Sequence, residues 1–294
     1  MSEPRPVPPD PTSGKPAGAT PYRANGQKYI GKSLNIEDLA PRQEVEPDIQ
    51  KGIDLAGKTK IVFAAGRGKT GKTTLLRWLT EISILHGSSP ILADIDPSNA
   101  TFSNYFADVA RPDTDSPVGI TMWLQDMIEH CIAERQSAII DLGGGDTTLR
   151  SLASEMPGLA DHIEASGLAP VLFHLVGTQP EDLSPGVTLT SRGFTPKAQA
   201  LVFNEFSIEA GFTRDRAFSR IIASSSYSTL AQSSVRLWMP HLHAADAVES
   251  RQCTFVAARD GNVDPPLGIF DAARVRVWLD TMDRRFSGVR SWIP

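Results

Sequence analysis

The chain has 294 residues, of which 40% are hydrophobic, and its formal net charge is −5. This length accommodates one large domain and an extension, and the negative charge argues against a protein that is basic overall, although it permits local basic patches. No apolar stretch approaches the ~20 residues that span a bilayer, and the polar, proline-rich beginning lacks the apolar core of a signal peptide. The two cysteines, Cys131 and Cys253, form no motif, which favours free thiols in a reducing compartment. We therefore expect a cytoplasmic protein that does not bind a membrane.

Residues 1–57 differ in composition from the rest of the chain. Seven prolines lie within the first 21 residues and prevent regular structure there, which predicts a disordered tail. The remainder of this segment carries a few apolar side chains that either pack on the domain or capture a partner, and a poorly ordered linker is favoured for most of it. We expect an N-terminal extension over residues 1–57 and a single domain over residues 58–294.

The domain begins with a strand, a glycine-rich loop and a helix. An apolar run at residues 60–65 predicts a buried strand of a parallel sheet, and leucines at helical spacing predict a helix that stops near Gly87. Between them, residues 66–73 have the Gly-x-x-x-x-Gly-Lys-Thr spacing of a phosphate-binding P-loop. Loop N–H groups and the positive helix N-terminus would bind phosphates, Lys72 would reach the terminal phosphates, and the Thr73 hydroxyl would coordinate Mg²⁺. A glycine-rich turn that binds nothing is the alternative, which the flanking strand and helix disfavour. The predicted nucleotide-binding residues here are Gly66, Arg67, Gly68, Lys69, Thr70, Gly71, Lys72, Thr73 and Thr74.

The rest of the domain alternates strand-like and helix-like segments. Apolar runs predict further strands at residues 89–94, 137–141, 170–176, 198–203 and 235–239, and amphipathic segments predict helices at residues 119–135 and 269–286. This alternation predicts a doubly wound α/β fold, with a mostly parallel sheet and helices on both faces. In such a fold the ligand binds beyond the carboxyl ends of the strands.

Acidic residues follow two of the predicted strands. Asp94 and Asp96 end the second strand, and Asp141 ends the third. A nucleoside triphosphate needs Mg²⁺, and Asp141 fits the Walker B aspartate that fixes the metal through water. Gly144 completes an Asp-x-x-Gly segment, which in P-loop enzymes places a backbone N–H near the γ-phosphate. The alternative for Asp141 is an ordinary residue in a turn after a strand.

Two stretches resemble a known family. The loop GRGKTGKTT is similar to the Gly-Lys-Gly-Gly-x-Gly-Lys-Thr-Thr loop of the ParA/MinD-type ATPases, which partition plasmids and position cellular cargo. The segment DIDPSNAT is similar to the family's Asp-x-Asp-Pro-Gln-Gly-Asn-Ala-Thr segment. The resemblance covers roughly residues 58–285. It implies that Asp96 orients the water that attacks ATP, that Thr73 and Asp141 hold Mg²⁺, the latter through water, and that Asp94 lies near the metal or supports the end of the strand.

The resemblance also indicates which residues would contact the adenine base, and two loop residues depart from the family pattern. Asn204 would recognise adenine and Pro240 would line the base, although both residue types are also common in turns after strands. Arg67 stands where the family has a signature lysine that reaches the partner's nucleotide, and Lys69 stands where it has a glycine. Arg67 retains the positive charge and can contact a phosphate of the partner subunit's nucleotide. The alternative is an exposed cation that attracts phosphate only nonspecifically. Lys69 either adds charge or crowds the loop.

The sequence therefore predicts an ATPase that binds ATP and Mg²⁺, forms a homodimer around two nucleotides and hydrolyses ATP slowly under the control of a stimulating partner. Hydrolysis would switch the association of the dimer with DNA, which it would bind nonspecifically, or with a protein cargo. Plasmid partition and conjugation-linked maintenance are examples of such a function. The extension would contact a partner. Two alternatives remain: a metabolic phosphoryl-transfer enzyme or ligase of the dethiobiotin synthetase kind, and a weakly hydrolysing nucleotide-binding adaptor. The candidate DNA-binding residues are five C-terminal arginines, for which a solvated helix face is the alternative: Arg274, Arg276, Arg284, Arg285 and Arg290.

Overall fold

The computed structural model describes residues 45–96, 101–143 and 147–294. The proline-rich tail, the Pro97–Ala100 part of the DIDPSNAT segment and Gly144 therefore lie outside the described residues. The strands are β1 (Thr59–Ala65), β2 (Ile91–Asp94), β3 (Ala138–Asp141), β4 (Leu168–Val176), β5 (Ala198–Asn204) and β6 (Val235–Met239). The helices are α1 (Lys72–Leu85), α2 (Pro117–Glu134), α3 (Thr147–Glu155), α4 (Leu159–Ala165), α5 (Ser184–Ser191), α6 (Arg214–Ile222), α7 (Ser225–Ala231), α8 (Ala245–Glu249), α9 (Phe255–Asp260) and α10 (Ile269–Arg285). Short 3₁₀ turns lie at Phe102–Asn104, Pro180–Leu183, Glu205–Ser207 and Ser287–Trp292.

The six strands form one sheet in the order β2-β3-β1-β4-β5-β6, and every pair of neighbours is parallel. The predicted doubly wound α/β fold is thus confirmed. From β1 the chain goes to the edge strand β2, returns to β3 and then crosses β1 to β4, so the strand order reverses at β1. The crevice of the fold therefore opens at the carboxyl end of β1, between β3 and β4. The P-loop leaves β1 at this point.

Both faces of the central strand are buried, as a parallel sheet requires. Val62 and Ala64 pack with α1, α10 and the C-terminal turn on one face, while Ile61 and Phe63 pack with α2, α3 and α4 on the other. A third cluster joins β5 and β6 to α6 and α7. Alternate side chains of β1 thus pack into two different hydrophobic cores. This packing fixes the position of the strand and of the loop that follows it.

The predicted strands agree with the observed ones within two residues at either end. β4 begins at Leu168, earlier than predicted, and includes Pro170. A proline is tolerated here because β5 pairs with β4 only from Val171 onwards, so Pro170 lies where β4 has a single neighbour.

Residues 45–57 pack against the body, which was one of the two alternatives for the extension. The Gly52 N–H donates to the Gly288 carbonyl at 3.0 Å, and the Trp292 indole N–H donates to the Ile53 carbonyl at 2.8 Å. A Cβ on Gly52 would lie 2.2 Å from the Trp292 ring, so only glycine fits at this crossing. The boundary of the domain at residue 57 stays a prediction.

Two further features bear on expectations from the sequence. Cys131 is buried, Cys253 is half-buried, and both are free thiols. Across the described ranges, no helix combines the length and the apolar character that crossing a bilayer demands.

A buried histidine on β4 makes the stability of the fold depend on pH. His174 is 3% exposed, and neither ring nitrogen meets hydrogen-bond geometry with a described residue. Burial lowers the pKa of His174 to about 4, against a weaker opposing effect of the Gln199 side chain. Because the unfolded chain protonates this group near its ordinary pKa, stability is lost as the pH falls from about 6.5 to about 4.

We expect His174 to lower the free energy of unfolding by about 2 kcal/mol as the pH falls from 7 to 5. Urea unfolding at both pH values checks this on the wild type and on His174→Gln, which does not titrate. The variant should lose less stability than the wild type on acidification. Equal losses in the two proteins would contradict the assignment.

Candidate functional site

The P-loop connects β1 to α1 through two glycines that no other residue can replace without strain. Gly66 and Gly71 have φ angles of 150° and 97°. A Cβ at Gly66 would lie 2.8 Å from the Leu175 carbonyl oxygen, and one at Gly71 would lie 2.5 Å from the Asn204 amide nitrogen. Both glycines therefore allow the loop to pass close to neighbouring strands in a conformation that a side chain would strain.

Lys72 is the first residue of α1 and its side chain is buried beneath the loop. It is 6% exposed, and its ammonium donates to the carbonyls of Gly66 at 2.9 Å and Arg67 at 3.0 Å. The first turn of α1 contains no acidic residue that would neutralise the positive end of the helix dipole. The ammonium, the loop and the helix N-terminus together supply the donors and the positive charge that a phosphate group would need.

A second pair of polar side chains lies beside this loop. The Thr73 hydroxyl donates to Asp141 Oδ2 at 2.8 Å, and the Gly143 N–H donates to Asp141 Oδ1 at 3.1 Å. Burial raises the pKa of Asp141, and the hydrogen bond from Thr73 opposes this. The hydroxyl and carboxylate oxygens are the ligand types that Mg²⁺ prefers.

Among the described residues, no three His, Cys, Asp or Glu side chains converge to hold a metal ion. An Mg²⁺ ion here would therefore depend on Thr73, on water fixed by Asp141 and on the phosphates of a nucleotide, as P-loop proteins bind it. The rings of His241 and His243 contact each other in a tilted arrangement, with centroids 4.1 Å apart.

Asp94 is occupied by the backbone of its own segment. It is 1% exposed and accepts hydrogen bonds from the N–H groups of Asp96 at 3.2 Å, Phe102 at 3.1 Å and Ser103 at 3.4 Å. Burial raises the pKa of Asp94 to about 6, and the charge of Asp141 adds to the shift. These contacts favour the structural alternative, in which Asp94 supports the end of β2, over a metal ligand.

Asp96 lies against the loop that follows β3. Gly143 has a φ of 74°, and a Cβ on it would lie 2.7 Å from both Cβ and Cγ of Asp96. The absence of a side chain at Gly143 thus lets the half-buried Asp96 carboxyl approach the Thr73–Asp141 pair. The charge of Asp96 is one of the causes that raise the pKa of Asp141.

Asn204 ends β5 and joins two parts of the site. It is 3% exposed; its amide Nδ2 donates to the Thr70 carbonyl at 2.9 Å, and its Oδ1 accepts from the Phe206 N–H at 3.0 Å. Pro240 follows β6, and its carbonyl accepts from the Trp278 indole N–H at 2.9 Å. Asn204 therefore fixes the P-loop against the turn that follows β5.

A cavity of about 290 Å³ extends from the P-loop along the carboxyl ends of β5 and β6. One end is polar and cationic, and the other has mainly apolar and aromatic walls, which suits a phosphate chain followed by a base. The loop end is lined by Lys69, Gly71, Lys72, Thr73 and Thr74. The remaining walls are formed by Arg77, Asn204, Phe206, Met239, Pro240, Leu242, Ala245, Val248, Glu249, Phe255 and Trp278.

The tip of the P-loop, Arg67, Gly68 and Lys69, is exposed. The Arg67 guanidinium lies 3.5 Å from Asp182 Oδ1, with the side chains 53% and 9% exposed. Asp182 also accepts from the Gln179 N–H at 3.1 Å, which fixes its position. An ion pair this exposed and this long contributes little free energy, so Arg67 can leave Asp182 for a phosphate.

The structure disfavours a basic surface formed by the C-terminal arginines. Arg285 is 7% exposed and pairs with Glu205 at 2.8 Å and Glu46 at 3.1 Å. Arg274 pairs with Asp271 at 2.8 Å, and Arg284 and Arg290 also face carboxylates. The charges of these four arginines are therefore largely compensated, as expected for ion-paired surface side chains.

Several cavity residues were not predicted from the sequence. Phe206 is 59% exposed, lies two residues after Asn204 and presents its ring to the cavity. Its position after a strand that ends in asparagine was the available signal. Trp278 and Asp182 reach the site from α10 and from the turn after β4, and no local motif marks either residue.

The comparisons with known proteins do not assign this chain to a family. No family model matches the chain, and no curated protein matches it. Among solved structures, it is similar to the cell division protein FtsY of Thermotoga maritima, with 10% identity and a TM-score of 0.43, over 67% of this chain and 66% of that one. It is also similar to chloroplast FtsY of Physcomitrella patens, with 13% identity and a TM-score of 0.39, over 80% of this chain and 67% of that one. The chain thus spans about two thirds of the length of each. Its assignment to the P-loop NTPase fold depends on its own sheet order and loop geometry.

Proposed function

We propose that the chain is a ParA/MinD-like ATPase that binds ATP and Mg²⁺, dimerises around two nucleotides and hydrolyses ATP to switch its association with a partner. The observation that carries the proposal is the convergence of three groups at one edge of the sheet: the Lys72 ammonium, the Thr73–Asp141 pair and the Asp96 carboxyl. The two family-like sequence stretches support the specific ATPase type.

The proposed mechanism assigns a distinct task to each of these groups. The loop N–H groups and Lys72 bind the phosphates and stabilise the negative charge that develops during phosphoryl transfer. Thr73 and Asp141 would hold Mg²⁺, which neutralises phosphate charge when bound. Asp96 accepts a hydrogen bond from the attacking water and orients it, because it is the carboxyl that approaches this pair from the loop after β2.

Arg67 would serve the partner subunit in the dimer. Its exposure and its weak pairing with Asp182 allow the guanidinium to reach a second nucleotide across an interface. Stabilisation of transition-state charge by such an arginine would make hydrolysis depend on dimerisation.

The walls of the cavity support a purine base next to the P-loop. The second N–H of the Asn204 amide and the loop at Pro240 would contact adenine, and the exposed Phe206 ring offers a stacking surface. ATP is therefore the proposed nucleotide, and GTP is its direct competitor in the test below.

We further propose a cytoplasmic location and a domain over residues 58–294 that follows an extension over residues 1–57. The extension is the proposed element of contact with a protein cargo or a stimulating partner. DNA is retained as a candidate partner of the ATP-bound dimer only.

Isothermal titration with ATP, GTP and ADP, together with phosphate release without any added acceptor, tests the proposal. We expect ATP to bind more tightly than GTP and to be hydrolysed slowly with water as the only acceptor. Turnover that appears only with an added small-molecule acceptor would indicate the metabolic phosphoryl-transfer enzyme instead. Binding without measurable hydrolysis would indicate the adaptor, and no binding of either triphosphate would overturn the proposal.

A further inference from the structure

Lys69 has a backbone conformation that is unfavourable for a lysine. Its φ angle is 66°, in the left-handed region that glycine adopts without steric cost. Asparagine and aspartate tolerate this region because their short side chains bond locally, whereas lysine has no such compensation. Arg135, another described residue with positive φ, occupies a helix C-cap, where this conformation is common. Lys69 lies inside the P-loop.

Lys69 also lines the cavity. It belongs to the same wall as Gly71, Lys72 and Thr73, at the end that we assign to phosphates. The other two cations of the loop are engaged: Lys72 binds two carbonyls, and Arg67 lies near Asp182. Within the described part of the chain, no carboxylate lies within ion-pair distance of the Lys69 ammonium.

We infer that Lys69 is a second phosphate-binding lysine, which acts within the same subunit. The inference rests on the proposed function in that the cavity must accept a nucleotide. Lys69 follows Gly66 by three residues and precedes Lys72 by three, so its flexible stem starts from the part of the loop that surrounds the phosphates. Its ammonium supplies positive charge to the nucleotide of its own subunit. Arg67 does not supply this charge, because its guanidinium lies near Asp182. Strained backbone conformations cluster at ligand-binding sites, where the strain is part of the function.

The inference predicts opposite effects on binding and on stability when Lys69 is replaced with glycine. Lys69→Gly should weaken ATP binding about tenfold, because a charge-assisted contact to phosphate is lost. The same change removes the strain at positive φ and should raise the melting temperature of the nucleotide-free protein by about 2 °C. Lys69→Gln should lose the same affinity without gaining stability, and Lys69→Arg should retain most of the affinity.

The experiment is titration calorimetry with ATP and with inorganic tripolyphosphate, combined with thermal melting, on these three variants. Lys197→Gln is the matched control, because it removes an equal charge from an exposed lysine that pairs with Glu164 away from the P-loop. Wild-type affinity for tripolyphosphate in Lys69→Gln and Lys69→Gly would overturn the inference and leave the proposed function intact. A wild type that binds neither ligand would instead overturn the proposed function.

Discussion

Replacement of Lys72 with alanine should lower the affinity for ATP about 100-fold or more. Each charge-assisted hydrogen bond from the ammonium to phosphate contributes on the order of 1.5–3 kcal/mol, and more than one is lost. The variant also removes the donor that the carbonyls of Gly66 and Arg67 share at 2.9 and 3.0 Å. The loop therefore loses both a ligand for phosphate and a contact that fixes its shape.

Titration calorimetry with ATP and with tripolyphosphate measures this effect. Because Lys72 is assigned to the phosphates, both ligands should lose affinity in parallel. Lys72→Arg retains the charge but not the compact ammonium, and we expect it to bind more weakly than the wild type and more tightly than Lys72→Ala. If Lys72→Ala bound ATP as tightly as the wild type, the P-loop would not be the phosphate site.

Replacement of Asp96 with alanine should leave ATP binding nearly unchanged and lower the hydrolysis rate about 100- to 1000-fold. Loss of a group that positions the reacting water typically has an effect of this order. Binding is spared because Asp96 lies beside Gly143, whereas the phosphates are assigned to the loop and to Lys72. Single-turnover phosphate release from prebound ATP separates the chemical step from binding.

Asp94→Asn is the matched control for this prediction. Asp94 lies two residues earlier, but its carboxylate is bonded to three backbone N–H groups of its own segment. Its variant should lose stability, by about 1–3 kcal/mol, and the folded fraction should hydrolyse ATP far faster than Asp96→Ala does. A larger loss of turnover in Asp94→Asn than in Asp96→Ala would reverse the two assignments.

The sequence predicted those parts of the fold and of the site that local patterns determine. The strand, glycine spacing and helix around Gly66 and Lys72 lie within 27 residues, from Thr59 to Leu85, and each part is visible in composition and periodicity. Asp141 was recognisable because it ends an apolar strand, and the carboxyl ends of parallel strands meet at one edge. Asn204 was singled out by the family resemblance.

The remaining features depend on contacts between distant parts of the chain. Arg67 and Asp182 are 115 residues apart, and Asn204 reaches Thr70 across 134 residues. Neither pairing leaves a periodic or spacing signal near either partner. Arg285, one of the five candidate DNA-binding arginines, likewise pairs with Glu46, which precedes it by 239 residues. The family resemblance proposed residues for the site, but it did not indicate which side chains and backbone groups would contact them.

The mass of the protein by light scattering after size exclusion tests the central claim most directly. The claim is that ATP binding, rather than hydrolysis, assembles the dimer. Wild type and Asp96→Ala should be compared with Mg²⁺–ATP and with Mg²⁺–ADP, because Asp96→Ala should retain its triphosphate. We predict the mass of one chain with ADP for both proteins, and a mass twice as large with ATP that persists in Asp96→Ala. A single-chain mass for Asp96→Ala with ATP demonstrably bound would contradict the nucleotide-sandwich mechanism.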